Sequence, residues 1–408
     1  MAREKKSNLK YQVLISLLLI FTMAFTIFEI ENTNKENVVA KENQVPQERE
    51  IVEAEPEPEQ VTMVMVGDVL LHDIIDENFE NGDGTYDYTN LFANVKGDIS
   101  GADIALVNQE VIIGGADLEV TGYPEFNAPY QVADALDETG FDVILHATNH
   151  ALDRGKKGLL NCIEYWRNNY PDMAVLGIHD SQESQDNIYV YEQDGIKIAI
   201  LNYTYNTNGE VMPSGMPYAV DLLDEEKVVA DINRAKEISD FIVVCPHWGT
   251  EYKLGIDSKQ EKWTNIFLEN GVDLVIGTHP HVIEPIEMLT DENTGHQMLV
   301  YYSLGNFCSW TSDEEPDAVN RSIGGMAEVV LQRGDDGQVY IADYGVQPLV
   351  CHLTYDAKGV TVYKLQDYTE ELAGKSIVKQ KNGEFSIDYC NNLCDEIWGE
   401  LWKKDIEM

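Results

Sequence analysis

Val272-Asp273-Leu274-Val275-Ile276, followed by Gly277-Thr278-His279-Pro280-His281, is the stretch that decides the reading of this chain. The short, nearly continuous apolar run reads as a buried strand, and the glycine ends it. The histidines then stand at the carboxyl end of a strand, where open α/β sheets hold their ligands. Two imidazoles one proline apart are costly to bury without partners, yet both can aim into one metal site. The chain has nine histidines, and others occupy similar places.

Upstream, Phe241-Ile242-Val243-Val244-Cys245 reads as a buried strand and runs into Pro246-His247-Trp248-Gly249. Phe141 to Leu145 is another, leading through His146 to Asn149-His150 and then Asp153-Arg154-Gly155. Ala102 to Val107 ends in Asn108-Gln109-Glu110, and Val61 to Val66 ends in Gly67-Asp68, with His72 and Asp73 just beyond. Taken singly, each is weak, because Gly-Asp is commonly a turn and Asn a helix cap. Asp68, Glu110, Asn149 with His150, His247, and His279 with His281 each close an apolar strand in chain order. That recurrence argues for one shared site.

Between these strands lie helical patterns at about Tyr130–Thr139, after Gly155 to about Asn168, at Glu225–Ile238 and at Lys259–Asn270. Met173–Gly177 and Leu299–Tyr302 read as strands, and Ile188–Tyr191 with Ile196–Leu201 as a hairpin around Asp194-Gly195. From Gly325 to about Lys364 the pattern is β-rich, with turns at Gly334–Gly337 and Asp356–Gly359, and a helix is expected around Asn391–Lys404. Strands alternating with helices, then hairpins, argue an α/β protein with a mixed sheet or two packed sheets. The expected boundaries are one domain over 61–370 and a helical tail over 371–408 packed on it.

The net charge is −44. Residues 1–28 carry a net +3 and residues 29–60 a net −7, so about −40 remains on the rest. Such a surface repels phosphate backbones, which excludes nucleic acid as a partner. An anionic substrate needs its charge met locally, and metal ions are the natural means. Tyr11 to Phe28 is an uncharged, mostly apolar run preceded by Arg3, Lys5, Lys6 and Lys10. It reads as a single-pass anchor over residues 1–28, uncleaved rather than a cleaved signal, leaving the remainder extracytoplasmic at the cell membrane. Residues 29–60, rich in glutamate and poor in large apolar side chains, read as a disordered stalk. The six cysteines show no paired zinc spacing, and Cys390 with Cys394 could bridge or simply pack.

Mixed carboxylate, amide and imidazole donors suit divalent ions such as Mn²⁺, Fe²⁺ or Zn²⁺. Two such ions, bridged by a carboxylate such as Glu110, clamp both oxygens of a displacement. A histidine held off the metal must then protonate the leaving group; His150 suits this, with Asp153 orienting it.

The order Gly67-Asp68, Asn108-Gln109-Glu110, Asn149-His150 with Asp153 and Gly155, His247-Trp248-Gly249, Gly277 to His281 and Ser303-Leu304-Gly305-Asn306-Phe307 resembles the poly-γ-glutamate capsule synthesis family CapA, a branch of the metallophosphoesterase superfamily. The resemblance covers about residues 61–310. It implies a four-layer α/β/β/α sandwich, with Asp68, Glu110 and His281 around one ion. Glu110, Asn149, His247 and His279 would hold the other, with His150 as the acid. Two departures stand out. The superfamily's first motif has a histidine where this chain has Leu70, with His72 a candidate replacement, and its second uses aspartate where Glu110 stands. Asn306 is expected to close a turn and Trp248 to pack. The resemblance points to poly-γ-glutamate synthesis or export, and the donor set to a metal-dependent hydrolase acting on an anionic polymer or phosphoester in capsule or envelope polymer synthesis. The same pocket also fits a non-catalytic subunit of a membrane polymer synthase complex, or an envelope phosphodiesterase unrelated to capsule.

Overall fold

The computed structural model describes residues 59–311, 316–354 and 359–408. The expected anchor, most of the expected stalk and all of the expected 356–359 turn except Gly359 lie outside them. Among the described residues, no helix is long and apolar enough to cross a membrane.

Strand β1 (Gln60–Leu70) leads through α1 (Asp73–Phe79) to β2 (Ile104–Gln109), α2 (Gln131–Thr139), β3 (Val143–Leu145), α3 (Gly155–Asn169) and β4 (Ala174–Leu176). The hairpin β5 (Tyr189–Gln193) and β6 (Ile196–Thr204) precedes α4 (Glu225–Ile238), β7 (Phe241–His247), α5 (Ser258–Glu269), β8 (Leu274–Ile276), β9 (Ile286–Thr290) and β10 (Gln297–Tyr301). After β11 (Asn306–Ser309) come β12 (Ile323–Arg333), β13 (Val339–His352), β14 (Thr361–Lys364) and α6 (Ile387–Trp398). The result is a mixed α/β fold with two sheets. One has eight strands in the order β14-β13-β12-β1-β2-β3-β4, with β11 also paired to β1; the other is β5-β6-β7-β8-β10-β9. β1 to β4 run parallel, and so do β6, β7, β8 and β10. Their carboxyl ends therefore gather the loops between strands and helices.

Alternation along β6 shows how the second sheet is buried. Ile196, Ile198 and Ile200 share a core with β1 and β2, whereas Ala199, Leu201 and Tyr203 share another with α4 and α5. In α4, Val228, Ile232 and Ala235 fall on one face at helical spacing and are buried. Leaving water contributes about 1.5–3 kcal/mol for each of the two larger ones. Asp224 caps that helix by accepting from Lys227 N, and Asp257 with Gln260 forms a capping box on α5.

Several expectations are corrected. β1 does not stop before Gly67 but continues to Leu70, because β11 takes over as its partner from Asp68 onward. That exchange requires a glycine: a Cβ on Gly67 would lie 1.9 Å from Gly305 O. The stalk ends earlier than residue 60, since Gln60 already pairs with Gln332 and Glu59 with Arg333. The last helix ends at Trp398 rather than running to Lys404, with Gly399 at φ 61 closing it. Edge strand β9 has no alternating pattern strong enough to be read. All six cysteines are buried free thiols, Cys390 and Cys394 among them.

Candidate metal centre

Asp68 sits at a break in register, where β1 faces Asn108 of β2 on one side and Asn306 of β11 on the other. Asn108 Nδ2 donates to Asp68 Oδ1 at 2.8 Å, and His279 N lies 3.3 Å from Oδ2. Glu110 follows β2 directly, and its backbone is pinned by Glu110 N to Val69 O at 3.2 Å and by Thr148 Oγ1 to Glu110 O at 2.8 Å. The loop after β3 is drawn toward the second sheet, because Ala147 N donates to Asn202 Oδ1 and Asn202 Nδ2 to Cys245 O, both at 2.8 Å. This places Asn149 Oδ1 2.8 Å from His247 Nε2.

His247 ends β7 and bridges to Thr278, while Trp248 N donates to Thr278 O at 3.0 Å. Gly277 lets this happen, since a Cβ there would lie 2.4 Å from Trp248 Nε1 and 2.1 Å from Tyr302 O. Trp248 packs, as expected, with Nε1 donating to Tyr302 O at 2.9 Å. His279 and His281 both have positive φ, 100 and 59. A non-glycine residue held there stores on the order of 1–3 kcal/mol, which the surrounding packing must offset.

The structure brings all eight expected residues into one region. His281 Nδ1 is 3.1 Å from Asp68 Oδ2, and its Nε2 is 3.7 Å from Glu110 Oε1. His247 Nε2 is 3.5 Å from that same oxygen, and the His247 and His279 ring centres are 4.7 Å apart. His150 Nδ1 lies 2.6 Å from Asp153 Oδ2, which also accepts from Phe126 N at 2.7 Å. A carboxylate at that distance requires a donor at Nδ1, which leaves Nε2 of His150 as the other face of the ring.

Three groups of donors among the described residues each lie within 4.8 Å: Asp68, Glu110 and His281; Glu110, His247 and His279; and Glu251, His279 and His281. Asp68, Glu110 and His247 are fully buried, yet neither Glu110 oxygen has a hydrogen-bond partner, nor does His279 Nδ1. Buried polar atoms are nearly always paired. Orphaned oxygen and nitrogen lone pairs converging on common points fit a divalent cation, and carboxylate with imidazole fits the borderline ions Mn²⁺, Fe²⁺ and Zn²⁺.

Burial and the charges of neighbouring groups set the protonation of these donors in the absence of metal. Burial and the neighbouring Glu110 push the Asp68 carboxyl up. Burial also acts to raise Glu110, but the imidazoles of His281 and His247 overcome it and hold that carboxylate well below its ordinary range. Burial would neutralise His281, yet Glu110 and Asp68 hold its pKa at about 9. Burial, then His247 and His281, push His279 far down, so it presents a neutral ring.

Three nearby residues were missed. Asn108 stands inside a motif already singled out, but its contact with Asp68 needs the β1–β2 register. Asn306 does not close a turn: it opens β11, is buried, and places Oδ1 3.0 Å from His281 Nδ1. Glu251 carried no periodic or spacing signal. His72 joins no donor group; its Nδ1 contacts Leu70 O at 3.2 Å and its ring meets Phe126 edge-on. A cleft of about 350 Å³ opens beside His150 and His281, walled by Tyr123, Phe126, Tyr252 and Trp310, with Arg321 stacked 3.9 Å above Tyr252.

Residues 62–311 match the family model described as bacterial capsule synthesis protein PGA_cap. The chain belongs to this family. Among curated relatives, the capsule biosynthesis protein CapA of Bacillus anthracis is 27% identical over 287 residues, 67% of each chain. The PGA biosynthesis protein CapA of Bacillus subtilis is 29% identical over 180 residues, 43% of this chain and 45% of that one. Solved structures similar to it include the NAD nucleotidase of Haemophilus influenzae, with TM-score 0.44, 14% identity, and coverage of 83% of this chain and 66% of that one. A 5'-nucleotidase precursor from Thermus thermophilus matches with TM-score 0.42, 14% identity, and coverage of 71% and 54%.

Proposed function

We propose that this PGA_cap member is a metal-dependent hydrolase serving synthesis of an anionic capsule or envelope polymer, its centre built by Asp68, Glu110, Asn149, His247, His279 and His281. The observation that carries the reading is Glu110, a fully buried carboxylate whose two oxygens make no hydrogen bond and which belongs to two triads of donors. Asp68 with His281, and His247 with His279 and Asn149, would hold one ion each, with Glu110 between them. Bound there, divalent cations would polarise a phosphoryl or carbonyl oxygen and lower the pKa of water. His150, donating from Nδ1 to Asp153, would give the leaving group a proton from Nε2 as the imidazolium, the cation that the Asp153 carboxylate stabilises. The cleft beside His150 combines aromatic walls with polar and charged side chains, among them Arg321 stacked on Tyr252. The burial of opposite faces of β6 in two different cores supports a four-layer α/β/β/α arrangement for this scaffold. We further propose single-pass attachment through residues 1–28, which places the domain outside the cytoplasm.

The test is metal content per purified chain beside Glu110→Ala and His279→Ala, followed by turnover of phosphoesters and polyglutamate. About two ions, lost in both variants, with turnover that depends on His150, is the expected result. Ions without turnover of either substrate would make the chain an accessory subunit. No ion after loading with Mn²⁺ or Zn²⁺ would sink the hydrolase reading.

A further inference from the structure

We propose that Glu251 is an additional metal-ligating residue that closes this centre from its solvent side, an assignment resting on the metal-centre reading above. One Glu251 oxygen and ring nitrogens of His279 and His281 lie within 4.8 Å of one another. His279 is 2% exposed and its Nδ1 has no partner, so a buried donor next to Glu251 awaits a ligand. Glu251 itself is exposed and lines the cleft shared by His150 and His281.

The backbone holds it there. Trp248 N donates to Thr278 O at 3.0 Å and Tyr252 N to Pro280 O at 2.8 Å, so the Trp248–Tyr252 loop is tied at both ends to the loop carrying the histidines. Gly249, at φ 93, lies so close beneath Pro280 that an added Cβ would come within 3.2 Å of its ring. Glu251 is thus fixed across the His279–His281 pair by its backbone while its side chain keeps rotational freedom.

The centre also needs such a group. Asp68, Glu110 and His281 are buried and would hold an ion from the protein side, and His281 also lines the cleft. Leu70 is apolar. His72 is turned onto Leu70 O and against Phe126 and belongs to none of the donor groups. Among the described residues that line the cleft, Glu251 is the carboxylate able to complete that coordination, and a further oxygen donor shifts preference toward Mn²⁺.

The test is a calorimetric titration of the metal-free full-length chain with Mn²⁺ and, separately, Zn²⁺, for the wild type, Glu251→Gln and His72→Ala. Thermal melts in EDTA check that each variant is folded; Glu251 is exposed, so its substitution should leave the melt unchanged. We expect two sites in the wild type and in His72→Ala. Glu251→Gln should keep one site and weaken the other about 10–100-fold, more for Mn²⁺ than for Zn²⁺. Two sites of wild-type affinity in Glu251→Gln overturn the assignment, as does a site lost in His72→Ala but kept in Glu251→Gln. A wild type that takes up no ion overturns the metal centre itself, and this assignment with it.

Discussion

His247 Nε2, at the end of β7 in the six-stranded sheet, lies 2.8 Å from Asn149 Oδ1, in the loop after β3 of the eight-stranded sheet. The centre is therefore assembled across two sheets, and no single sheet contains it. Replacing either partner should cut metal affinity without unfolding the protein. For Asn149→Ala a loss of about 10–100-fold at one site is expected by calorimetry, with the metal-free melting temperature nearly unchanged. Wild-type affinity in this variant would show that the amide holds His247 rather than an ion.

Metal binding should stabilise the fold, because the Glu110 oxygens, which make no hydrogen bond and have only imidazoles 3.5 and 3.7 Å from Oε1, would gain a direct ligand contact. At an ion concentration about 100 times the dissociation constant, the gain is about 2.7 kcal/mol per site. Differential scanning calorimetry with and without EDTA reads it directly. Glu110→Ala should melt at the same temperature in both conditions.

Asp153→Asn tests the acid. Its Oδ2 fixes the His150 tautomer at 2.6 Å, and an amide could present its NH₂ group there instead. Turnover should fall about 10²–10⁴-fold, the usual range for a lost general acid, while metal content stays at the wild-type level. A parallel loss of metal would mean that His150 and Asp153 support the centre instead of the proton.

Far from the centre, Asp76 is buried, accepts a hydrogen bond from Tyr88, and burial raises its pKa to about 7, from 3.8. The folded protein therefore holds a proton that the unfolded chain gives up at lower pH. Its favourable contribution is complete below about pH 4 and is lost as the pH climbs through 7, so stability falls across that window. Asp76→Asn keeps the acceptor for Tyr88 and removes the titration. The variant should gain on the order of 2–4 kcal/mol over the wild type at pH 8, and nothing at pH 4, measured by urea unfolding. Equal pH profiles would refute the shift.

Gly67→Ala should be among the most damaging single-methyl changes in the protein. The new Cβ would fall 1.9 Å from Gly305 O, a backbone atom that cannot rotate away. A loss of about 1–3 kcal/mol or more is expected for such overpacking, and the β1–β11 pairing that positions Asp68 should loosen with it. Urea midpoints and metal affinity should fall together.

What the sequence determined by itself was local. Apolar runs such as Phe241–Cys245 and Val272–Ile276 must be buried, helices such as Glu225–Ile238 carry their own cap and apolar face, and residues that follow each run must emerge at its end. Glu110, Asn149, His150, His247, His279 and His281 were legible as candidates for that reason, and Asp68 as the residue beyond an apolar run that proved to continue past it. The tertiary structure decided which strands became neighbours and where each changed partner. Asp68 lies inside a strand because β11, more than 230 residues later, takes over from β12 at that point. Asn306 reaches His281 through the same exchange, and Glu251 faces the histidine pair because hydrogen bonds tie two loops together. None of these contacts leaves a periodic trace, since each depends on the spatial meeting of segments far apart in the chain.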